Sequence, residues 1–170
     1  MTDQDHQHAL MQTPLLSGME PAVAARLSSA FRFAQFSRGE RLITVGEKDR
    51  VMMVLLSGVV EVQLHEDGRL WRLAQLQSGA VLGEIGFFEA FPSRSADVIG
   101  VKAGVIARLD PSGYQSLRDV DAAAFELGML DALSERLSET NAGISSLLQQ
   151  TISEDWFSDL RRWIFRFGER

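Results

Sequence analysis

Two residue pairs carry chemistry that the rest of the chain lacks: Gly83-Glu84 and Arg94-Ser95, near the two ends of the stretch GEIGFFEAFPSRSADV. A carboxylate accepts two hydrogen bonds side by side and suits the hydroxyls of a sugar. A guanidinium presents a planar fork of donors and suits a phosphate. The hydroxyl of Ser95 can donate to a further phosphate oxygen. Glycine before the carboxylate removes the Cβ that would keep a ligand away from the backbone amides. Pro92 fixes the approach to the arginine, and the intervening phenylalanines supply a dry floor. The set describes a pocket for a molecule with a hydroxyl-bearing sugar and one phosphate, although Glu84 and Arg94 can equally form a plain salt bridge.

Little else along the chain could do chemistry. There are no cysteines, which excludes disulfides, thiolate metal sites and cysteine nucleophiles. His6 and His8 sit in a polar start with no third ligand nearby, so no metal site is expected. His65 has no second axial candidate for a haem. No activated nucleophile or acid/base pair stands out, and the chain is not expected to be an enzyme. The formal net charge of -6 argues against a general nucleic-acid binder, which would carry a basic face.

The elements that must hold the two pairs can be outlined from periodicity. Residues 1–13 are polar and expected as a disordered tail. From Pro14, apolar residues at Leu15, Leu16, Met19, Val23, Leu27 and Phe31 keep a helical step. Between Phe36 and Leu109 the pattern becomes short alternating runs punctuated by glycine, with VEVQLHEDGRLWRLAQL as the clearest hairpin around Asp67-Gly68. About eight short antiparallel strands at this spacing predict a jelly-roll-like β-roll, giving an α+β domain over residues 14–120 with flanking helices. Asp110-Pro111 reads as N-cap and first residue of the next helical region. In a long helix over 121–151, Leu130, Leu133, Leu137, Thr140, Ile144, Leu147 and Thr151 form an a/d seam of about three heptads, which predicts pairing with a second copy. Residues 153–170 predict a terminal amphipathic helix. Trp156, Phe157, Leu160, Trp163, Ile164 and Phe167 share one face beside Arg161, Arg162 and Arg166. That helix can fold back on the domain, dock a partner protein or lie on a membrane, and its acids weigh against the membrane.

With these residues in place, the chain resembles the cyclic nucleotide-binding domain of the catabolite activator (cyclic AMP receptor) superfamily over roughly Pro14 to Gln150. The run RGERLITVGEKDRVMMVLLSGVVEV and the cassette GEIGFFEAFPSRSADV carry the resemblance. The cassette reads as Gly83-Glu84, the aliphatic Ile85, a variable insert, then Arg94-Ser95-Ala96. The resemblance implies that Glu84 accepts from a ribose 2′-hydroxyl, with the Gly83 backbone nearby. It implies that Arg94 pairs with the cyclic phosphate and that Ser95 bonds another of its oxygens. It also implies that Thr140 and Asn141 reach the base across a dimer seam, and the heptad spacing places Thr140 on that seam independently. Asn141 departs from the serine common at its position. Its amide can serve adenine or rotate to serve guanine, and Ser95 leaves the same choice open, with cyclic AMP favoured.

The family's transcription factors continue into a winged helix-turn-helix, and no recognition helix fits in residues 152–170. The expectation is a free-standing homodimeric sensor with no cofactor, signalling through an unknown protein partner rather than through DNA. With no signal peptide or membrane-length apolar run, a cytoplasmic location is expected. The competing expectation is a ligand-free dimeric scaffold with a vestigial pocket.

Overall fold

The structure is a computed structural model that describes residues 2–88 and 93–151. By its internal contacts the chain divides into two units, residues 1–132 and 133–170. The expected terminal helix over 153–170 lies outside the described residues, as does Phe91.

The polar start is a helix. α1 (Asp3–Met11) is closed by a capping box in which Thr2 Oγ1 accepts from Asp5 N–H and the Asp5 carboxylate accepts from Thr2 N–H. Leu10 is fully buried, and His6 packs on the Phe33 ring at 5.3 Å between centroids. This corrects the expected disordered tail over 1–13: two inward residues and a cap suffice to order a segment that composition alone reads as solvent-borne. The helical pattern from Pro14 is also broken. Leu15 and Leu16 are buried within turns, and the helix proper is α2 (Pro21–Ser28), begun by a proline at its first position. A helix running through from Pro14 would need an N–H at residue 21 that proline lacks.

The described residues form an antiparallel sheet of six strands: β1 (Arg32–Phe36), β2 (Arg41–Ile43), β3 (Met52–Glu66), β4 (Arg69–Leu76), β5 (Val81–Leu82) and β6 (Asp97–Leu109). The order is β1-β6-β3-β4, with β2 also on β6 and β5 also on β3. Asp67-Gly68 makes the expected hairpin turn with both residues at positive φ, and Glu66 pairs with Arg69. Against the expected count of about eight, the described residues give six strands, of which β3 and β6 are long and bulged. Their register shifts around Ser57, where Gly58 and Gly104 let the two backbones approach to a distance no Cβ would allow. Those glycines read as turns in the sequence and act as bulges in the fold.

One core fills the roll, built from Phe36, Ile43, Met53, Leu55, Val60, Leu82, Val98 and Ile106. The short helix α3 (Glu84–Phe88) interrupts the strands after β5. After β6 come α4 (Pro111–Gln115) and α5 (Asp119–Thr151). The Asp110 carboxylate accepts from Gly113 N–H at 2.8 Å, as the N-cap reading predicts. α5 begins at Asp119, two residues earlier than expected. Its first turn is tied to α2 by Asp121, a fully buried carboxylate that takes two hydrogen bonds from Arg118 and three from Arg26. Hydrogen bonds from Arg26 and then Arg118 hold its pKa far below the usual carboxylate range. Among the described residues no helix is long and apolar enough to cross a membrane.

Candidate functional site

The cassette is assembled around one side chain. Arg94 is buried, and four of its five guanidinium N–H groups donate to protein oxygens. Nε donates to Asp49 Oδ1 at 2.7 Å and Nη2 to Asp49 Oδ2 at 2.9 Å, a bidentate pair. Nη1 donates to Gly83 O at 2.8 Å, and Nη2 also donates to Val51 O. The hydrogen bonds from Arg94 hold the Asp49 carboxyl below its ordinary pKa. The pair is asymmetric, with the Arg94 side chain 2% exposed and Asp49 44% exposed, so solvent reaches it from the carboxylate side.

The loop that cradles Arg94 is itself held at both ends. Gly46 N–H donates to Arg94 O at 2.8 Å, and Arg94 N–H donates to Glu47 O at 2.9 Å. Three residues after Arg94, buried Asp97 accepts from Val45 N–H and from Arg41 Nη1, each at 2.9 Å, which fastens the β2 end to β6. Arg50 donates to Phe87 O, satisfying a carbonyl at the end of α3.

The role of the cassette glycines differs from the sequence expectation. Gly83 has φ +73°, and a Cβ there would lie 2.5 Å from Arg94 Nη1 and 3.0 Å from Val51 O. A Cβ on Gly86 would stand 3.2 Å from the same nitrogen. Both glycines make room for the guanidinium, so the space their missing side chains leave is occupied by the protein itself. Glu84, at the start of α3, is buried, whereas Ile85 and Ser95 are exposed. The structure thus brings Gly83, Glu84, Ile85, Arg94 and Ser95 into one turn-and-loop assembly, with two side chains sunk and two facing water.

α3 is joined to the elements after β6 by aromatic contacts. Phe87 meets Tyr114 edge-on at 5.6 Å, and Phe88 lies 6.4 Å from Phe125, which is fully buried in α5. Tyr114 donates its hydroxyl to Glu126, and that bond pushes the phenol up to about 12. Phe87 is buried in this cluster, whereas Phe88 keeps 44% of its surface exposed while touching the Phe87 and Tyr114 rings.

Thr140 and Asn141 fall in the second unit, where both are exposed on α5, and Thr140 Oγ1 donates to Arg136 O at 2.8 Å. The first unit's part of the helix exposes Val120, Leu127 and Leu130, and the second unit's part exposes Leu137. Asp49 is the partner that sequence reasoning missed. It lies 45 residues from Arg94 and looks like any surface acid; its one signal is that it falls inside the run that carries the family resemblance.

Residues 33–121 match the family described as "Cyclic nucleotide-binding domain". The chain is 29% identical over 141 residues to Glutaminase 1 of Bradyrhizobium diazoefficiens, covering 81% of this chain and 22% of that protein. It is 23% identical over 160 residues to the CRP-like cAMP-activated global transcriptional regulator of Mycobacterium tuberculosis, covering 94% of this chain and 70% of the regulator. Among solved structures, a cyclic nucleotide-binding domain from Methylobacillus flagellatus superposes with a TM-score of 0.75 at 19% identity, over 89% of this chain and 87% of that one. The chain spans about a fifth of the glutaminase's length, so the likeness there reaches only part of that enzyme. With the Gly83–Ser95 assembly in the roll and a family match over residues 33–121, the chain belongs to the cyclic nucleotide-binding domain family.

Proposed function

We propose that this chain is a regulatory sensor whose ligand is cyclic AMP, and that it acts as a homodimer through residues 130–151. The observation that carries the reading is the seating of Arg94 against Gly83, at the head of the short helix that begins with buried Glu84. In this reading Glu84 accepts from the ribose 2′-hydroxyl and the Gly83 backbone lies alongside. Arg94 takes the cyclic phosphate, with exposed Ser95 donating to a second phosphate oxygen. Ile85 stands on the open side of the same turn. Thr140 and Asn141 of a paired α5 complete the base contacts, and the exposed Leu130 and Leu137 supply the apolar seam for that pairing.

The response is a population shift. Ligand favours the state in which roll and paired helices reach it together. The Phe87–Tyr114 and Phe88–Phe125 contacts give α3 a packed route to the start of α5. Movement of α5 would then change what residues 153–170 present to a protein partner. Cyclic AMP is favoured over cyclic GMP by the name of the mycobacterial relative, a cAMP-activated regulator, while Ser95 and Asn141 are compatible with either base.

One observation favours a second reading. Arg94 already has a bidentate carboxylate partner and two carbonyls, which is how a purely structural ion pair would look. In that case the chain is a dimeric scaffold without a ligand. Calorimetric titration with cyclic AMP and separately with cyclic GMP separates the two. Saturable binding of cyclic AMP, tighter than cyclic GMP, supports the sensor; no heat and an unchanged melting temperature with both supports the scaffold.

A further inference from the structure

We infer that Arg32 and Arg108 form a second anion site, for a small molecule carrying a phosphate group, separate from the cassette. The antiparallel register sets Arg32 directly opposite Arg108 on β1 and β6. Directly opposed residues hold their Cβ atoms about 5 Å apart, and like charges in that position destabilise the pair. Such repulsion is ordinarily offset by carboxylates. Among the described residues, however, neither guanidinium has a carboxylate within ion-pairing distance.

The nearest acids act only through space, and each is engaged elsewhere. Asp110 feels the charge of Arg32, but its carboxylate accepts from Gly113 N–H and the Ser112 hydroxyl. Asp49 feels Arg108, but it is held by Arg94. Between the two arginines opens a cavity of about 370 Å³ lined also by Phe33, Ala34, Val51 and Asp110. A phosphate dianion has enough oxygens to take both forks at once and so relieve the repulsion between them. Half-buried Phe33, Ala34 and Val51 give an apolar wall for the organic part of such a ligand. In a chain with a net charge of -6, two opposed arginines without a carboxylate partner mark this cavity as the place an anion would settle.

The test is titration of the whole chain with phenyl phosphate at constant ionic strength, without and with excess cyclic AMP to fill the cassette. Expected is one saturable equivalent that persists when cyclic AMP fills the cassette and is weakened roughly tenfold or more by either Arg32→Gln or Arg108→Gln. In phosphate-free buffer each variant should melt at or slightly above the parent, because one of two repelling charges is gone. Absence of saturation, binding indifferent to both substitutions, or variants that melt well below the parent would each overturn the site, the last by making the arginines structural. A separate cyclic AMP titration reads the cassette, so failure here and failure of the sensor reading are distinguishable.

Discussion

Arg94 has five N–H donors, and its four hydrogen bonds to Asp49, Gly83 and Val51 leave one donor on Nη1 uncommitted. In the sensor reading, a phosphate would meet a guanidinium that is already oriented and partly neutralised by Asp49. Orientation in this arrangement depends on Gly83. Its φ of +73° disfavours a side chain by about 1–2 kcal/mol, and the added Cβ would collide with Nη1. Gly83→Ala is expected to lower stability by at least that amount in urea unfolding and to abolish nucleotide binding in a titration. Unchanged affinity would show that the seat is not needed. At this scale the sequence was informative about residue types and blind to partners. Glu84, Arg94 and their glycines were picked out by chemistry and spacing. Asp49 was not, because nothing local distinguishes a carboxylate that will fold against an arginine 45 residues away. Gly83 was singled out for the wrong neighbour: the atom it admits is a guanidinium nitrogen.

The short helices α3 and α4 meet the start of α5 through Phe87, Phe88, Tyr114 and Phe125, and the polar end of that cluster is the Tyr114–Glu126 bond. The bond stabilises the neutral phenol, so the folded pKa is raised from 10.0 to about 12. The stability it contributes is fully present below pH 10 and is lost as pH rises through about 12. Tyr114 is the only tyrosine in the chain, so tyrosinate absorbance reads this one bond. Titration near pH 12 is expected, moving down toward 10 in Glu126→Gln; a parent midpoint near 10 would mean that the bond does not form in solution. Element boundaries were legible where a turn residue had a single use, as at Asp67-Gly68 and the Asp110 cap. They were not legible at Gly58 and Gly104, where the same residue type serves a bulge inside a strand. α1 escaped notice because its cap and its two inward residues are scattered through an otherwise polar segment.

The whole molecule sets a nucleotide-binding roll before a helix whose apolar residues Leu130 and Leu137 face solvent in the single chain. In the homodimer reading, these leucines at heptad spacing belong to the seam of a paired α5. Leu137→Asp is accordingly expected to give a monomer by light scattering, with weakened nucleotide binding because Thr140 and Asn141 lose their position across the dimer. An intact dimer would remove the seam from the account. The fold class and the family were legible because the roll's alternation and the cassette are both local patterns. The pairing of α5 depends on a second chain, and for that reason it stays a proposal tested in solution. The most direct test of the sensor reading is a calorimetric titration of the parent and of Arg94→Gln with cyclic AMP. Saturable binding by the parent, weakened at least about a hundredfold in the variant by loss of the charge-assisted phosphate bonds, is the expected result. Equal heats from the two proteins, or none from the parent, would contradict it.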